Sequence, residues 1–308
     1  MSKEEWQRLI ATIAADRTSG AIEIARNCVS AFGQYAHSLA ESETDAVILK
    51  DLRSTCVRLL RGQPSMAPVL RVCNEVLLAI EDTPSTDAAV ATLRSVSAAL
   101  ESQISNSAGN IVEQFVAHTE HVRSLITLSY SGSIIAGLQA VGSKRTALEV
   151  IVLESRPAKE GRKLAKAAAD AGLNVTLVVD AAAYSEMMGA DMWVSGADAL
   201  LVDGAVNKIG TAMLAAAARL CAKPGLVLAD SLKIWPADVR YPAFPQQDPD
   251  EVWSDKPEGV TIRNSYFELV PWGLVSGIIC ENGLATPSKI IESANSLATS
   301  NYLKEYFV

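Results

Sequence analysis

Histidine and cysteine are scarce in this chain, and their scarcity closes off several chemistries. Its 308 residues include 3 histidines (His37, His118, His121) and 5 cysteines (Cys28, Cys56, Cys73, Cys221, Cys280). No C-x-x-C pair occurs, so neither a zinc framework nor a dithiol motif is indicated, and no metal site is expected. An odd number of widely spaced cysteines fits reduced thiols in a cytoplasm rather than a disulfide scaffold. The chain lacks a G-x-G-x-x-G fingerprint, which disfavours a dinucleotide oxidoreductase, and it lacks a P-loop. No cofactor is expected. Positive charge is also short, with a net charge of -8. Such a surface is not built to neutralise nucleic-acid phosphates, although a local basic cleft is compatible with it. No apolar run is long enough to span a bilayer, and Met1–Trp6 has no apolar signal-like core, so no membrane association or secretion is expected.

What is present is an ordinary globular composition, 49% hydrophobic and 20% charged, long enough for one large or two ordinary domains. From Lys3 to about Phe115 the apolar residues recur at helical spacing: Trp6, Leu9, Ile10 and Ile13; Cys56, Leu59 and Leu60; Val69, Val72, Val76 and Leu77. Breaks fall at Thr18-Ser19-Gly20, Gly62-Gln63-Pro64-Ser65 and Asp82-Thr83-Pro84-Ser85, with Ser85 or Thr86 placed to cap a long helix running to about Val116. From Arg123 onward short apolar runs alternate with Ala-rich helical stretches (Lys159–Ala171, Lys208–Ala222), the signature of βαβ units. The division expected is residues 1–120, all helical, and residues 121–308, a mostly parallel sheet with helices on both faces. Residues 235–262 read as an irregular excursion. Gly273–Cys280 reads as a last strand and Pro287–Leu297 as a short helix.

Polar residues fall where each strand should end. Val122–Leu128 leads into Ser129-Tyr130-Ser131-Gly132-Ser133, and Leu148–Leu153 into Glu154-Ser155-Arg156-Pro157. Val175–Val179 ends at Asp180, and Met192–Val194 runs into Gly196-Ala197-Asp198. In a doubly wound sheet those ends line one crevice, where ligands bind. The Ser129–Ser133 turn precedes a helix at Ile134–Ala140, so it either offers amides to an anion or merely caps that helix. Arg156 with Glu154 makes either an anion clamp or a surface ion pair opening a helix at Pro157. Asp198, among alanines, is either a general acid or base of raised pKa or a turn cap. Asn207-Lys208 is read as opening a helix, Asn207 capping it and Lys208 meeting a phosphate against the helix dipole.

Glu154-Ser155-Arg156-Pro157, Gly196-Ala197-Asp198 and Asn207-Lys208-Ile209-Gly210-Thr211 together resemble one superfamily. It contains the alpha, beta and delta subunits of translation initiation factor two-B, methylthioribose-1-phosphate isomerase and ribose-1,5-bisphosphate isomerase. Ser19-Gly20-Ala21 resembles its early Arg-Gly-Ala loop, with Arg17 two residues away, and Gln63–Pro68 its Arg-Pro-rich segment. Asn264–Pro271 and Glu281-Asn282-Gly283 resemble its C-terminal elements. The resemblance implies a helical domain followed by a Rossmann-like sheet, a homodimer or higher assembly, initiation-factor partners, and a sugar phosphate bound in an interdomain cleft. Family isomerases pair a Cys after the first strand with the Asp of Gly-Ala-Asp. Here the Asp is Asp198, but Ser129 stands at the Cys position. A thiol titrates near about 8.5, whereas a serine hydroxyl needs an activating base. By resemblance, Arg17, Gly20, Ser131, Gly132, Ser133, Arg156, Asn207 and Lys208 bind the ligand, with Asn207 on a sugar hydroxyl. The chain then reads as a sugar-phosphate-binding regulatory subunit. The alternative is an aldose–ketose isomerase in which Asp198 is the base and Ser129 only a hydrogen-bond donor.

Overall fold

The computed structural model describes residues 2–16, 19–39, 45–81, 86–144 and 147–306. Two compact units divide the chain: Met1–Ser107 with Leu232–Pro242 and Glu292–Val308, and Ala108–Ser231 with Ala243–Ile291. The chain thus returns twice to the first unit, which a single cut near residue 120 does not anticipate. The expected break at Asp82–Ser85 and the site candidate Arg17 lie outside the described residues.

The first five helices are α1 (Lys3–Ala15), α2 (Ala21–Ser38), α3 (Asp45–Gly62), α4 (Ala67–Glu81) and α5 (Thr86–His118). A capping box starts α1: the Ser2 hydroxyl accepts from Glu5 N at 3.2 Å while Ser2 N donates to the Glu5 carboxylate at 2.6 Å. The helical spacing seen in the sequence becomes a buried face, with Trp6, Ile10, Ile13, Leu59, Leu60, Val72 and Leu77 all buried. Trp6 stacks on Tyr35 with ring centroids 4.1 Å apart and donates to the Ala31 carbonyl. Gln63, which stands where the resemblance puts an arginine, is buried and donates to the carbonyls of Ile13, Ala14 and Asp16. Those are the orphan carbonyls at the end of α1, so Gln63 serves as their cap.

In the second unit the chain runs β1 (Ser124–Leu128), α6 (Gly132–Lys144), β2 (Glu149–Leu153), α7 (Gly161–Asp170), β3 (Asn174–Val178), α8 (Ala183–Gly189) and β4 (Met192–Gly196). There follow β5 (Ala199–Leu200), β6 (Gly204–Lys208), α9 (Thr211–Leu220), β7 (Gly225–Leu228), a helical turn α10 (Asp250–Trp253), β8 (Phe267–Pro271), β9 (Gly277–Cys280) and β10 (Gly283–Ala285). The helices α11 (Pro287–Ser296) and α12 (Asn301–Tyr306) close the chain. The main sheet has the order β10-β9-β7-β4-β1-β2-β3, parallel except for β10. A second sheet, β5-β6-β8, is antiparallel and was not anticipated. The expected strands at 122–128, 148–153 and 175–179 match β1, β2 and β3 to within two residues. Residues 273–280 begin instead with a 3-10 turn, and only Gly277–Cys280 is strand.

The core of this unit gathers Phe115 of α5, Ile134 and Leu138 of α6, and the apolar residues of β1, β2, β4, β7 and β9. Phe115 lies so close to α6 that a Cβ on Gly137 would sit 2.5 Å from its ring. Among the described residues no helix is long and apolar enough to cross a membrane.

Asp191, just before β4, binds the start of β1: its carboxylate accepts from Arg123 N at 2.8 Å and Ser124 N at 3.1 Å. The Arg123 amide, more than any other cause, holds its pKa below the usual carboxylate value. A depressed folded pKa means this stabilisation is present above the unfolded value and is lost as pH falls through the folded one. Denaturation midpoints measured from about pH 5 down to about pH 2 should therefore drop less steeply in Asp191→Asn than in the wild type. Identical acid slopes would show that Asp191 does not contribute.

Candidate functional site

Strand order sets the place to look. From β1 the chain goes to β2 and β3 on one side and then crosses to β4 on the other, so the sheet reverses direction between β1 and β4. Ligands of open parallel sheets sit at the carboxyl ends of the strands flanking such a reversal. Here those ends carry Ser129–Ser133 and Gly196-Ala197-Asp198. The two loops touch: a Cβ on Gly196 would lie 2.5 Å from Ser131 Oγ, so a side chain there would displace Ser131 from its present position. Asp198, half-buried, is anchored through its own N–H on the Val206 carbonyl at 2.8 Å, which ties it to β6.

The Ser131 carbonyl accepts the first backbone bond of α6, from Ile135 N at 2.9 Å. No protein partner takes the N–H of Gly132, Ser133 or Ile134 among the described residues, and nothing lies within 4 Å of a Cβ built on Gly132. The first turn of α9 contrasts with this. There the Glu268 carboxylate accepts from Gly210 N at 2.7 Å and Ala212 N at 2.9 Å, and Gly210 takes the left-handed φ of 98° that the turn needs. One helix N-terminus is thus plugged by the protein's own carboxylate, and the other is open to an anion.

Beyond the turn, Ser129 and Ser155 both have left-handed backbones, at φ 63° and 64°. Ser129 N donates to Ser155 Oγ at 2.7 Å, and that hydroxyl donates to the Leu153 carbonyl at 3.1 Å. The Asp180 carboxylate accepts from Ser155 N and Arg156 N, each at 2.8 Å. Asp180 was legible only as a strand end, because its partners lie 24 and 25 residues away.

Several expectations need correcting. Glu154 does not orient Arg156; its carboxylate pairs with Arg162 at 3.2 Å, and the exposed Arg156 guanidinium reaches the Val252 carbonyl at 3.4 Å. Pro157 does not open a helix, since α7 begins at Gly161. Asn207 and Lys208 do not open one either: they end β6, and the helix starts at Thr211. Asn207 instead donates to Thr211 Oγ1 at 3.0 Å. Lys208, buried, pairs with Glu160 at 2.8 Å and lies over the Tyr266 ring at 4.4 Å. The Tyr266 hydroxyl bonds Glu251, and burial together with that carboxylate pushes the phenol up to about 12. Gly20 belongs to the first unit, where it is the N-cap of α2 with no side-chain bond. A buried cation that no motif flagged, Lys233, also lies in the first unit, without an acidic partner among the described residues.

Of the five thiols four are buried, and the part-exposed Cys221 is the C-cap of α9, at the opposite end of that helix from its first turn. Cys28, Cys56 and Cys73 are buried in the first unit, where burial pushes Cys28 and Cys73 well up. Cys280, at the end of β9, is pushed to about 12 by burial and by Glu281 and Asp230, so it stays protonated at neutral pH. Among the described residues no group of His, Cys, Asp and Glu is placed to hold a metal ion.

Comparison with known proteins adds an independent finding. The model described as Initiation factor 2 subunit family matches residues 17–287. Ribose 1,5-bisphosphate isomerase of Methanocaldococcus jannaschii is 32% identical over 169 residues, 53% of this chain and 55% of that protein. The chain spans about half the length of the curated isomerases it matches first. A putative translation initiation factor eIF-2B subunit 2-like protein of Pyrococcus abyssi is 29% identical over 289 residues, 90% of this chain and 95% of that one. The translation initiation factor eIF-2B of Pyrococcus horikoshii OT3 superposes with a TM-score of 0.76 at 24% identity, covering 94% of this chain and 100% of that one. The 5-methylthioribose 1-phosphate isomerase of the same organism gives 0.69 at 22%, covering 93% and 87%.

Proposed function

Because the chain belongs to the initiation factor 2 subunit family, we propose that it binds a phosphorylated sugar at the crevice between the ends of β1 and β4. The observation that carries this is the pair of unlike helix starts, with the amides of Gly132, Ser133 and Ile134 open and those of α9 occupied by Glu268. A phosphate accepts from the open amides and from the Ser131 and Ser133 hydroxyls. The exposed Arg156 supplies positive charge, whereas Lys208 is already paired with Glu160 and braces the end of β6. Asn207 takes a sugar hydroxyl, and Asp198 faces the carbon chain. With Ser129 in place of the family thiol, the chain acts as a ligand-sensing subunit that pairs with itself and with other initiation-factor subunits.

A second reading, aldose–ketose isomerisation with Asp198 as the base, is favoured by the retained carboxylate and by relatives named isomerases. One assay separates the two. Ribose 1,5-bisphosphate and 5-methylthioribose 1-phosphate are each incubated with the protein, and both ketose formation and the thermal midpoint are followed. Saturable stabilisation without ketose is expected. Ketose formation that disappears in Asp198→Asn would replace the first reading with the second, and neither stabilisation nor turnover would defeat both.

A further inference from the structure

Three parallel strand ends are stitched in series, and the last stitch reaches the anion turn. The Asp180 carboxylate, after β3, accepts the N–H of Ser155 and of Arg156, each at 2.8 Å. Its two oxygens are divided between them, so the β2 turn is held at two successive amides. Ser155, only 1% exposed, then accepts Ser129 N at 2.7 Å on its hydroxyl while giving its proton to the Leu153 carbonyl at 3.1 Å. That hydroxyl is therefore oriented by one bond and receives by the other. Both serines are left-handed at a non-glycine position, a conformation that costs energy and persists only where its surroundings enforce it.

The consequence lies in direction. Ser129 N is drawn sideways toward β2, and the chain must then turn sharply before α6. After that turn, the N–H groups of Gly132, Ser133 and Ile134 are the ones left without protein partners. We infer that Asp180 and Ser155 are positioning residues for the phosphate turn, fixing through the Ser129 backbone the direction in which its open amides point. The inference rests on the anion-binding reading above, and it assigns to Asp180, two strands away from β1, a part in ligand affinity without contact to ligand.

Ser155→Gly is the informative variant. Glycine adopts a φ near 64° without strain, which offsets part of the cost of leaving Ser129 N and the Leu153 carbonyl without the hydroxyl, so only a small loss of stability is expected while the brace is lost. Asp180→Asn keeps one acceptor oxygen and loses the other. Calorimetric titration with inorganic phosphate should show affinity lowered about tenfold in each variant, the scale of one hydrogen bond. Because the two act in one series, the double variant should bind no worse than the weaker single one. The backbone amide resonances of Ser129 through Ser133 should shift in both, with only a small change of thermal midpoint in Ser155→Gly. Unchanged phosphate affinity in the variants would overturn the positioning role alone, as would losses that add or that merely follow thermal stability. A wild type that binds no phosphate would overturn the anion-binding reading, and this inference with it.

Discussion

Gly132→Asp should abolish most phosphate binding without destabilising the protein. The position has nothing within 4 Å of a Cβ, so the side chain fits, and it opens α6. A carboxylate there interacts favourably with the helix dipole, worth about 0.3–1 kcal/mol. It also takes the place of an incoming anion. Two like charges about 4 Å apart at the effective dielectric of a protein surface repel by roughly 4 kcal/mol, so a loss of about a hundredfold or more is expected. Titration with ribose 1,5-bisphosphate beside a thermal melt reads both halves. Wild-type affinity in a well-folded Gly132→Asp would remove the α6 turn from the site.

The largest loss of stability is expected from Gly225→Ala. Gly225 opens β7 opposite Trp193 in the register of β4, and the indole lies across it. An added Cβ would meet Trp193 Nε1 at 1.8 Å and Cε2 at 2.0 Å, far inside contact distance. Trp193 is fully buried, so the ring has no solvent to swing into, and the strand pair must separate instead. Overpacking of this kind costs about 3 kcal/mol. Urea denaturation should show a lower midpoint at unchanged slope, and Trp193→Leu in the same chain should recover part of it. A wild-type midpoint for Gly225→Ala would mean that this contact is not tight.

The alternation of apolar strands with Ala-rich helices was readable because a parallel sheet buries its strands on both faces, and β1 and β4 are buried throughout. β3 shows the limit of that signal: it reads as a strand, yet it is the sheet edge, with Leu177 exposed within it and Val179 exposed just beyond it. β6 was missed because Gly204–Lys208 has no alternation and runs into Asn207-Lys208-Ile209-Gly210, which imitates a helix start. Its place in the three-stranded sheet depends on β8, more than fifty residues later, and no local pattern carries that. At the site, the residue types at strand ends were legible, but their partners were not. Neighbouring Glu154 and Arg156 suggested a pair, whereas α7 brings Arg162 to Glu154 instead. Lys208 likewise finds Glu160, 48 positions earlier in the chain. Local sequence sets which groups stand at a strand end, and tertiary packing decides which of them are already neutralised.

The interleaving of the two units limits how such a chain can be recombined. Their boundaries fall after residues 107, 231, 242 and 291, and the first of these cuts α5 in mid-helix. A chimera that exchanged one unit with a relative would need all four junctions, and a single crossover in the gene would leave both halves with foreign partners. Grafting or evolutionary shuffling should therefore move the two units as one inherited block, with variation accumulating inside loops rather than by exchange of modules.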